Sequence, residues 1–405
     1  MLAVVGCSLS SSGPNTPNNP TNATHMYVAG GVNYANSDGT WGYSQAVYWK
    51  DGNINYLPLT SGNMWGWADE ITEDKSGNVY VLGTQGVGND YAIWGYWKNG
   101  AFTTLADFAT YPFLTDGWFA VDTNGNVWAE AFAGPDNNHA LPYYWENSGS
   151  PTHPANATNL EGIVADGAGN VYMTGTTGGT PFVYSTGFSS AWTPTVWKNG
   201  TTATSLSTTL SGTTYSNGFA GSLSIDAAGN VYAVGEVFTP GNAPVYWKAS
   251  GGNWASNSPT QLSVTGYPPA TYTYWNVHGA AVDSSGNVDA QATIATTGAP
   301  PETNNYFSST STPPGTLIYW KGGTPSTLPL GSYTSWGVFW GAVDSSGNYF
   351  VTGSVATDAQ AAAGPSGQGI PAYWKNGGTL VPLPMGSNGG KPNTFGKAEG
   401  IMFGQ

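Results

Sequence analysis

Trp340 to Gly353 reads WGAVDSSGNYFVTG, and Ala372 to Leu383, a short way downstream, reads AYWKNGGTLVPL. The same pair recurs at Ile71 (ITEDKSGNVYVLG, then GYWKNGAFTTL) and at Phe119 (FAVDTNGNVWAEA, then YYWENSGS). Further copies start at Ile163 (IVADGAGNVYMTG, TVWKNGTTATSL), Leu223 (LSIDAAGNVYAVG, VYWKASGGNW) and Ala280 (AAVDSSGNVDAQA, IYWKGGTPSTLPL). Short alternating apolar runs broken by Gly and Asn turns read as strands, and a period of roughly fifty residues marks a stacked or closed array.

The two ends of the chain complete one another. Met26 opens MYVAGG, which matches a second strand (VYVLG, VYMTG) with no first strand before it. Ala398 to Gln405, AEGIMFGQ, lines up with LEGIVADG at Leu160 and is a first strand with no second after it. Joined, they make a seventh repeat, and a ring of seven units leaves no orphan edge. Each unit supplies four strands: GGAVD, NYFVTG, AYWK and TLVPL in the copy quoted first. The reading is all-β: a seven-bladed propeller of four-stranded antiparallel blades, closed by the C-terminal strand joining the N-terminal blade.

Two tight turns are expected at one end of every blade. In Asp-x-x-Gly-Asn the Asp caps the turn and Gly takes the left-handed position; in Lys-Asn-Gly the Gly does the same. The remaining connections, Thr84 to Tyr91, Glu130 to Ala140, Thr176 to Thr195, Glu236 to Ala243 and Thr293 to Thr316, are expected to elaborate the opposite face.

These repeats resemble the propeller families with NHL-type repeats and the bacterial seven-bladed β-propeller repeat, both of which carry an Asp-x-x-Gly-Asn-Val-Tyr-Val hairpin. The Tyr-Trp-Lys-Asn-Gly half resembles bacterial surface propellers. The resemblance covers about residues 26–405 and implies the fold; it brings no catalytic residues with it.

Composition narrows the partners. Gly 58, aromatic 14% and charged 8% describe a β-rich chain with a neutral polar surface. The formal charge is -14 and all nine cationic side chains are Lys. Such a chain repels phosphate backbones and anionic bilayers and lacks the planar fork that grips them, which excludes nucleic acid and disfavours anionic polysaccharide. Cys7 is the single cysteine, so there is no intramolecular disulfide and no cysteine metal cluster. Val4, Val5, Gly6 and Cys7 resemble the lipobox of bacterial lipoproteins, which implies cleavage before Cys7 and lipidation of it. Residues 1–7 then read as a shortened signal, 8–25 as a Ser/Pro/Asn linker and 26–405 as the propeller. The expected setting is the cell envelope, lipid-anchored or secreted, with a monomeric ring that meets the membrane only through its anchor.

Among residues able to carry chemistry, the third-strand Trp recurs at 49, 97, 145, 197, 247, 320 and 374, and one position in every blade points to packing between blades. The turn acids Asp74, Asp122, Asp166, Asp226, Asp283 and Asp344 lack the distal acid of a calcium loop and read as caps. His25, His139 and His153 have no ligand spacing. Five residues before each turn Asp lies the expected mouth of the central channel: Asp69, Gly117, Glu161, Gly221, His278, Phe339 and, by alignment, Glu399. Asp69 and Glu399 come from adjacent blades, with Glu70 beside them. Converging carboxylates must share protons, stay hydrated or bind a cation, so a weak divalent-cation site such as calcium, or a polar-ligand site, is expected there, with no other cofactor. Trp65, Trp67, Trp118, Trp275, Trp336 and Trp340 precede the inner strands and are expected to rim the mouth.

The function expected is non-enzymatic binding of a neutral glycan or a protein on the long-loop face. The alternatives are a polysaccharide-active enzyme using Asp69, Glu161, Glu399 and His278 as acid and base, or a purely structural surface protein. Catalysis requires the acids to converge in one open pocket lined by Trp, and scaffolding does not.

Overall fold

Each repeat folds into one antiparallel sheet whose strands pair in chain order. The first complete blade contains Trp65–Glu73, Val79–Val87, Tyr91–Lys98 and Ala101–Asp107. The computed structural model describes residues 25–404 apart from 35–41, 88–90, 116, 137–138, 180–191, 240, 255–256, 269–270, 297–315, 358–359, 361–368 and 389. Cys7 and the linker before residue 25 lie outside the described residues. Every first strand touches the first strand of the next blade, all the way round, so the seven first strands line a closed central channel. In blade 7, Phe395–Gly404 is that innermost strand and pairs antiparallel with His25–Asn33, with Ile401 opposite Val28 and Phe403 opposite Met26. The ring is latched by both ends of the chain, as the half repeats require.

One hydrogen-bonded unit repeats on the hairpin face. Asp74 Oδ1 accepts from the Ser76 and Asn78 amides at 2.8 and 3.0 Å, and its Oδ2 accepts from Asn78 Nδ2 at 2.7 Å. The same contacts recur at Asp122, Asp166, Asp226, Asp283 and Asp344. The turn acids are therefore saturated by their own turns. The second turn joins this unit: Asn99 Oδ1 accepts from the Val79 amide at 2.9 Å and Asn99 Nδ2 donates to Asn78 Oδ1 at 2.8 Å. Both central residues are left-handed, Asn99 at φ 49° and Gly100 at φ 84°, a type I′ hairpin rather than a turn with Gly alone in that region. The two motifs recur together because each completes the other.

The Lys of Lys-Asn-Gly also has a repeated place. Lys98 lies 4.9 Å above the Tyr80 ring, and Tyr80 donates to Asp74; Lys198 with Tyr172 and Lys248 with Tyr232 repeat the pairing. Blade 5 holds Asp289 in place of that tyrosine. Lys321 pairs with it at 3.4 Å, the Gly322 amide donates to it at 2.6 Å, and burial still pushes its carboxyl up to about 6.

All seven third-strand Trp residues are buried. Six donate their indole N–H across the seam to a backbone carbonyl of the preceding blade: Trp49 to Pro384, Trp97 to Pro58, Trp197 to Ala155, Trp247 to Ser207, Trp320 to Ser263 and Trp374 to Pro329, at 2.6 to 3.2 Å. Trp145 packs edge-on against Trp94 with ring centres 5.2 Å apart. A buried indole with its N–H satisfied holds two blades together through apolar area and a directed bond.

Two expectations change. The second strands run further than the sequence pattern indicates, so Val79–Val87 and Tyr91–Lys98 are joined by only residues 88–90, and Val231–Phe238 and Asn242–Ala249 by 239–241. The strand ladders absorb most of the expected loops at Thr84 and Glu236 and the first half of that at Glu130. In blade 2 the first strand is split into Phe113–Leu114 and Trp118–Val121, both pairing with Val127–Gly134, and the outermost position is reduced to a bridge between Tyr144 and Thr152.

Candidate functional site

The positions singled out for the channel mouth share a backbone irregularity. The inner strand slips register at Asp69, Glu161 and Gly221, on both sides of His278, at Phe339 with Trp340, and at Glu399 with Gly400. In blade 2 the break in the strand spans Gly117. A β-bulge leaves residues without a ladder partner and re-aims their side chains. It also explains the Gly of the VYVLG motif: a Cβ on Gly83 would lie 2.1 Å from the Trp67 carbonyl oxygen, and one on Gly353 2.2 Å from that of Gly337. The varied residues thus stand where the repeat bulges, partway along the strand and not at its start.

Backbone groups near these bulges are served from the preceding blade. Glu70 Oε2 accepts from the Phe119 amide of blade 2 at 2.6 Å. Glu236 Oε1 accepts from the Val277 amide of blade 5 at 2.9 Å, while Asn242 donates to its other oxygen. Ser222 Oγ accepts from the Ala280 amide at 3.0 Å, and Thr352 Oγ1 donates to the Glu399 carbonyl. Glu130, from the second strand of blade 2, is fully buried with no hydrogen-bond partner within standard geometry on either oxygen, the Gly162 amide of blade 3 being the donor nearest to serving it.

These carboxyls are electrically linked. Glu70, Glu130 and Glu161 are 0%, 0% and 2% exposed. Burial pushes Glu70 and Glu130 well above the ordinary carboxylate range, with Glu130 adding to the rise at Glu70 and Glu161 to that at Glu130. Burial lifts Glu161 to about 8 against the pull of the Asn159 amide, and Glu236 to about 7 against the Val277 and Asn242 donors. Burial thus favours the protonated form at Glu70, Glu130 and Glu161 alike.

The expected mouth residues divide into three groups. Asp69 and Glu399 do lie on touching strands, since a Cβ on Gly400 would be 3.0 Å from the Asp69 carbonyl oxygen. Glu399 is ion-paired with Lys397, whose ammonium also sits 4.1 Å over the Phe339 ring, and Trp67 Nε1 approaches Glu399 at 3.4 Å. The chain's own lysine supplies the positive charge expected from a cation. Trp65 and Trp67 are half-buried, with Trp67 filling the space a side chain on Gly31 would need. Trp118, Trp336 and Trp340 are buried at 3%, 1% and 5% exposure and belong to the core, not to a rim. The inner strands begin before them, which carries them into the seams. The side chains of Trp275 and His278 lie outside the described residues. Among the described residues no three His, Cys, Asp or Glu side chains gather as metal ligands.

The sequence reading missed Lys397, Glu130 and Glu236. A signal for Glu130 was present: it stands at the core-facing second-strand position held by Leu82 and Val234 in other blades. A carboxyl there must be served by something.

Residues 154–182 match a family described as a beta-propeller repeat, SBBP. No curated protein matches the sequence. Among solved structures, a puromycin-hydrolyzing peptidase of Mycobacterium tuberculosis is similar at 10% identity and TM-score 0.49, over 92% of this chain and 55% of that one. This chain thus spans about half of the peptidase. The β-propeller domain of the Trilobed protease from Pyrococcus furiosus is similar at 9% identity and TM-score 0.40, over 95% and 99%. The Aleuria aurantia lectin, in complex with alpha-methyl-L-fucoside, is similar at 11% identity and TM-score 0.35, over 91% and 98%. Such likeness concerns the fold alone. The matched repeat and the ring of seven sheets describe a β-propeller repeat protein.

Proposed function

We propose that the ring is a non-enzymatic binding module that offers its channel mouth, around the half-buried Trp65 and Trp67, to a neutral glycan. One observation carries the reading: Asp69, Glu161 and Glu399, the acids that catalysis would use, are 7%, 2% and 5% exposed, and Glu399 is held by Lys397. A general acid and base must reach the bond they cleave. The half-buried indoles beside a carboxyl suit the apolar face and hydroxyls of a sugar. The formal charge of -14 disfavours an anionic ligand, and the 8% share of charged residues suits an uncharged one. In this reading Cys7 anchors the ring to the cell envelope and 8–25 is the tether, which a Cys7→Ser variant released from membranes would support.

The test is a glycan array followed by calorimetric titration with the neutral oligosaccharides that bind. Trp65→Ala loses at least tenfold in affinity with an unchanged thermal midpoint. Absence of binding to every neutral glycan, with capture of a protein instead, overturns the glycan reading. Release of cleaved oligosaccharide overturns the non-enzymatic one.

A further inference from the structure

A second site lies away from the channel, among the outer strands at the seam between blades 7 and 1. A cavity of about 360 Å³ opens there, lined by Tyr48, Asn55 and Tyr56 of blade 7 and by Val79, Val81 and Trp97 of blade 1. That volume falls within the range of small-ligand pockets. Two other seams close this space with the third-strand tyrosine. Between blades 2 and 3, Tyr144 lies so near Gly200 that a Cβ there would be 2.3 Å from its hydroxyl. Between blades 5 and 6, Tyr319 donates to the Asn376 carbonyl at 2.9 Å and crowds Gly377 in the same way. Tyr48 holds the same strand position in blade 7, yet a Cβ on Gly100 would meet only Pro58, at 3.7 Å.

The lining is specific in its chemistry. Tyr56 is 41% exposed, and its hydroxyl donates to the Ser387 carbonyl and accepts from the Ser387 amide, both at 2.9 Å. Tyr56 alternates with Asn55 along its strand, so its ring turns to the opposite face of the blade, toward residues 386 and 387, and the aromatic face on the cavity is that of Tyr48. The Tyr48 hydroxyl and Asn55 Oδ1 have no hydrogen-bond partner among the described residues; Asn55 bonds only through its Nδ2, to the Asn53 carbonyl. No charged side chain lines the cavity. The Tyr48 ring with its donor-acceptor hydroxyl, and an amide oxygen above aliphatic walls, match a ligand with one apolar face, several hydroxyls and no charge. An anion would find no cation here, and a wholly apolar ligand would strand the two polar groups.

We infer that the cavity between blades 7 and 1 is a binding site for a single neutral sugar ring. It shares a ligand class with the proposed mouth and none of its residues, so the two stand or fall separately.

The test is saturation-transfer NMR on the full chain with the methyl glycosides of glucose, galactose and mannose as probes and a methyl glucuronide as the charged control. At least one neutral glycoside receives saturation and the glucuronide does not. In a Trp65→Ala background, which silences the mouth, the signal persists; there Asn55→Trp fills the cavity from the outermost strand and abolishes it, and Tyr48→Phe keeps the ring and weakens it several-fold. Equal signals from Trp65→Ala with and without a folded Asn55→Trp overturn the site, as does no signal from any neutral glycoside with the parent. If Asn55→Trp does not fold, Tyr48→Phe decides: an unchanged signal overturns the site. A signal lost in Trp65→Ala and kept in the cavity variants assigns the sugar to the mouth alone.

Discussion

The hairpin face and the channel wall are built from the same seven sheets, yet they satisfy their polar groups over different distances. On the hairpin face Asp74 bonds to Ser76 and Asn78, and Asn99 to Val79 and Asn78, all within one blade. Along the wall Glu70 reaches Phe119 and Glu236 reaches Val277, each crossing a seam. A bond that closes within a blade can be repeated unchanged in every blade. One that crosses a seam depends on how two blades meet at a bulge, and different seams use Glu, Ser or Thr for it. Sameness between repeats therefore marks local chemistry, and variation along the wall marks seam-by-seam fitting as much as any ligand.

The largest test of this contrast is removal of the latch. Deleting 395–405 takes away the inner strand of blade 7, including Ala398, Ile401 and Met402, all buried, and leaves an open edge on His25–Asn33. The loss expected is about 5 kcal/mol or more, read as a collapsed or absent cooperative melt. A deletion variant that melts with the parent would separate ring closure from stability.

Next in size are the seam indoles. Trp97→Ala and Trp374→Ala each remove a buried ring and orphan a seam carbonyl, at a cost of about 3–5 kcal/mol by denaturant titration. Similar costs at both seams, with glycan binding retained, place these residues in the fold.

A smaller effect is expected within a blade. Asn99→Ala removes the acceptor for Val79 and places alanine at a φ of 49°, which costs about 1–2 kcal/mol. Asn376→Ala, with the matching bonds to Tyr349 and Asn348, repeats it within experimental error. Divergent values would show that the hairpin unit is less local than its bonds indicate.

What the sequence made legible follows the same division. The blade count, the terminal latch, the capping role of Asp74 and its equivalents, and the packing role of Trp97 and its equivalents were readable because each is fixed by contacts that recur. Glu130 and Glu236 were not, because their surroundings come from the next blade. Lys397 was hidden because it lies two residues before Glu399 on a strand read only for its match to LEGIVADG, and the bulge that follows it accompanies its pairing with Glu399 and its place over Phe339. Trp118, Trp336 and Trp340 looked like rim residues because the strand starts were counted back from the turn, whereas pairing with the long second strands carries the inner strands past them.

The central claim is that the wall acids are protonated partners within the fold and not a solvent-facing catalytic pair. Folded Glu161 keeps its proton to about pH 8 and Glu236 to about pH 7, while an unfolded glutamate loses it near 4.5. Their contribution is full below that value and lost as pH rises through the folded values. The turn acids Asp74, Asp226 and Asp283, held below the usual range, matter only on the acid side and add no slope between pH 5 and 8. The most direct measurement is the thermal midpoint at pH 5 and pH 8 for the parent and for Glu161→Gln with Glu236→Gln. The account predicts a parent midpoint about 5 °C or more lower at pH 8, and a double variant within about 1 kcal/mol of the parent at pH 5 whose midpoint moves less, the remaining shift coming from Glu70, Glu130 and Asp289. A parent equally stable at both values, or more stable at pH 8, would contradict it.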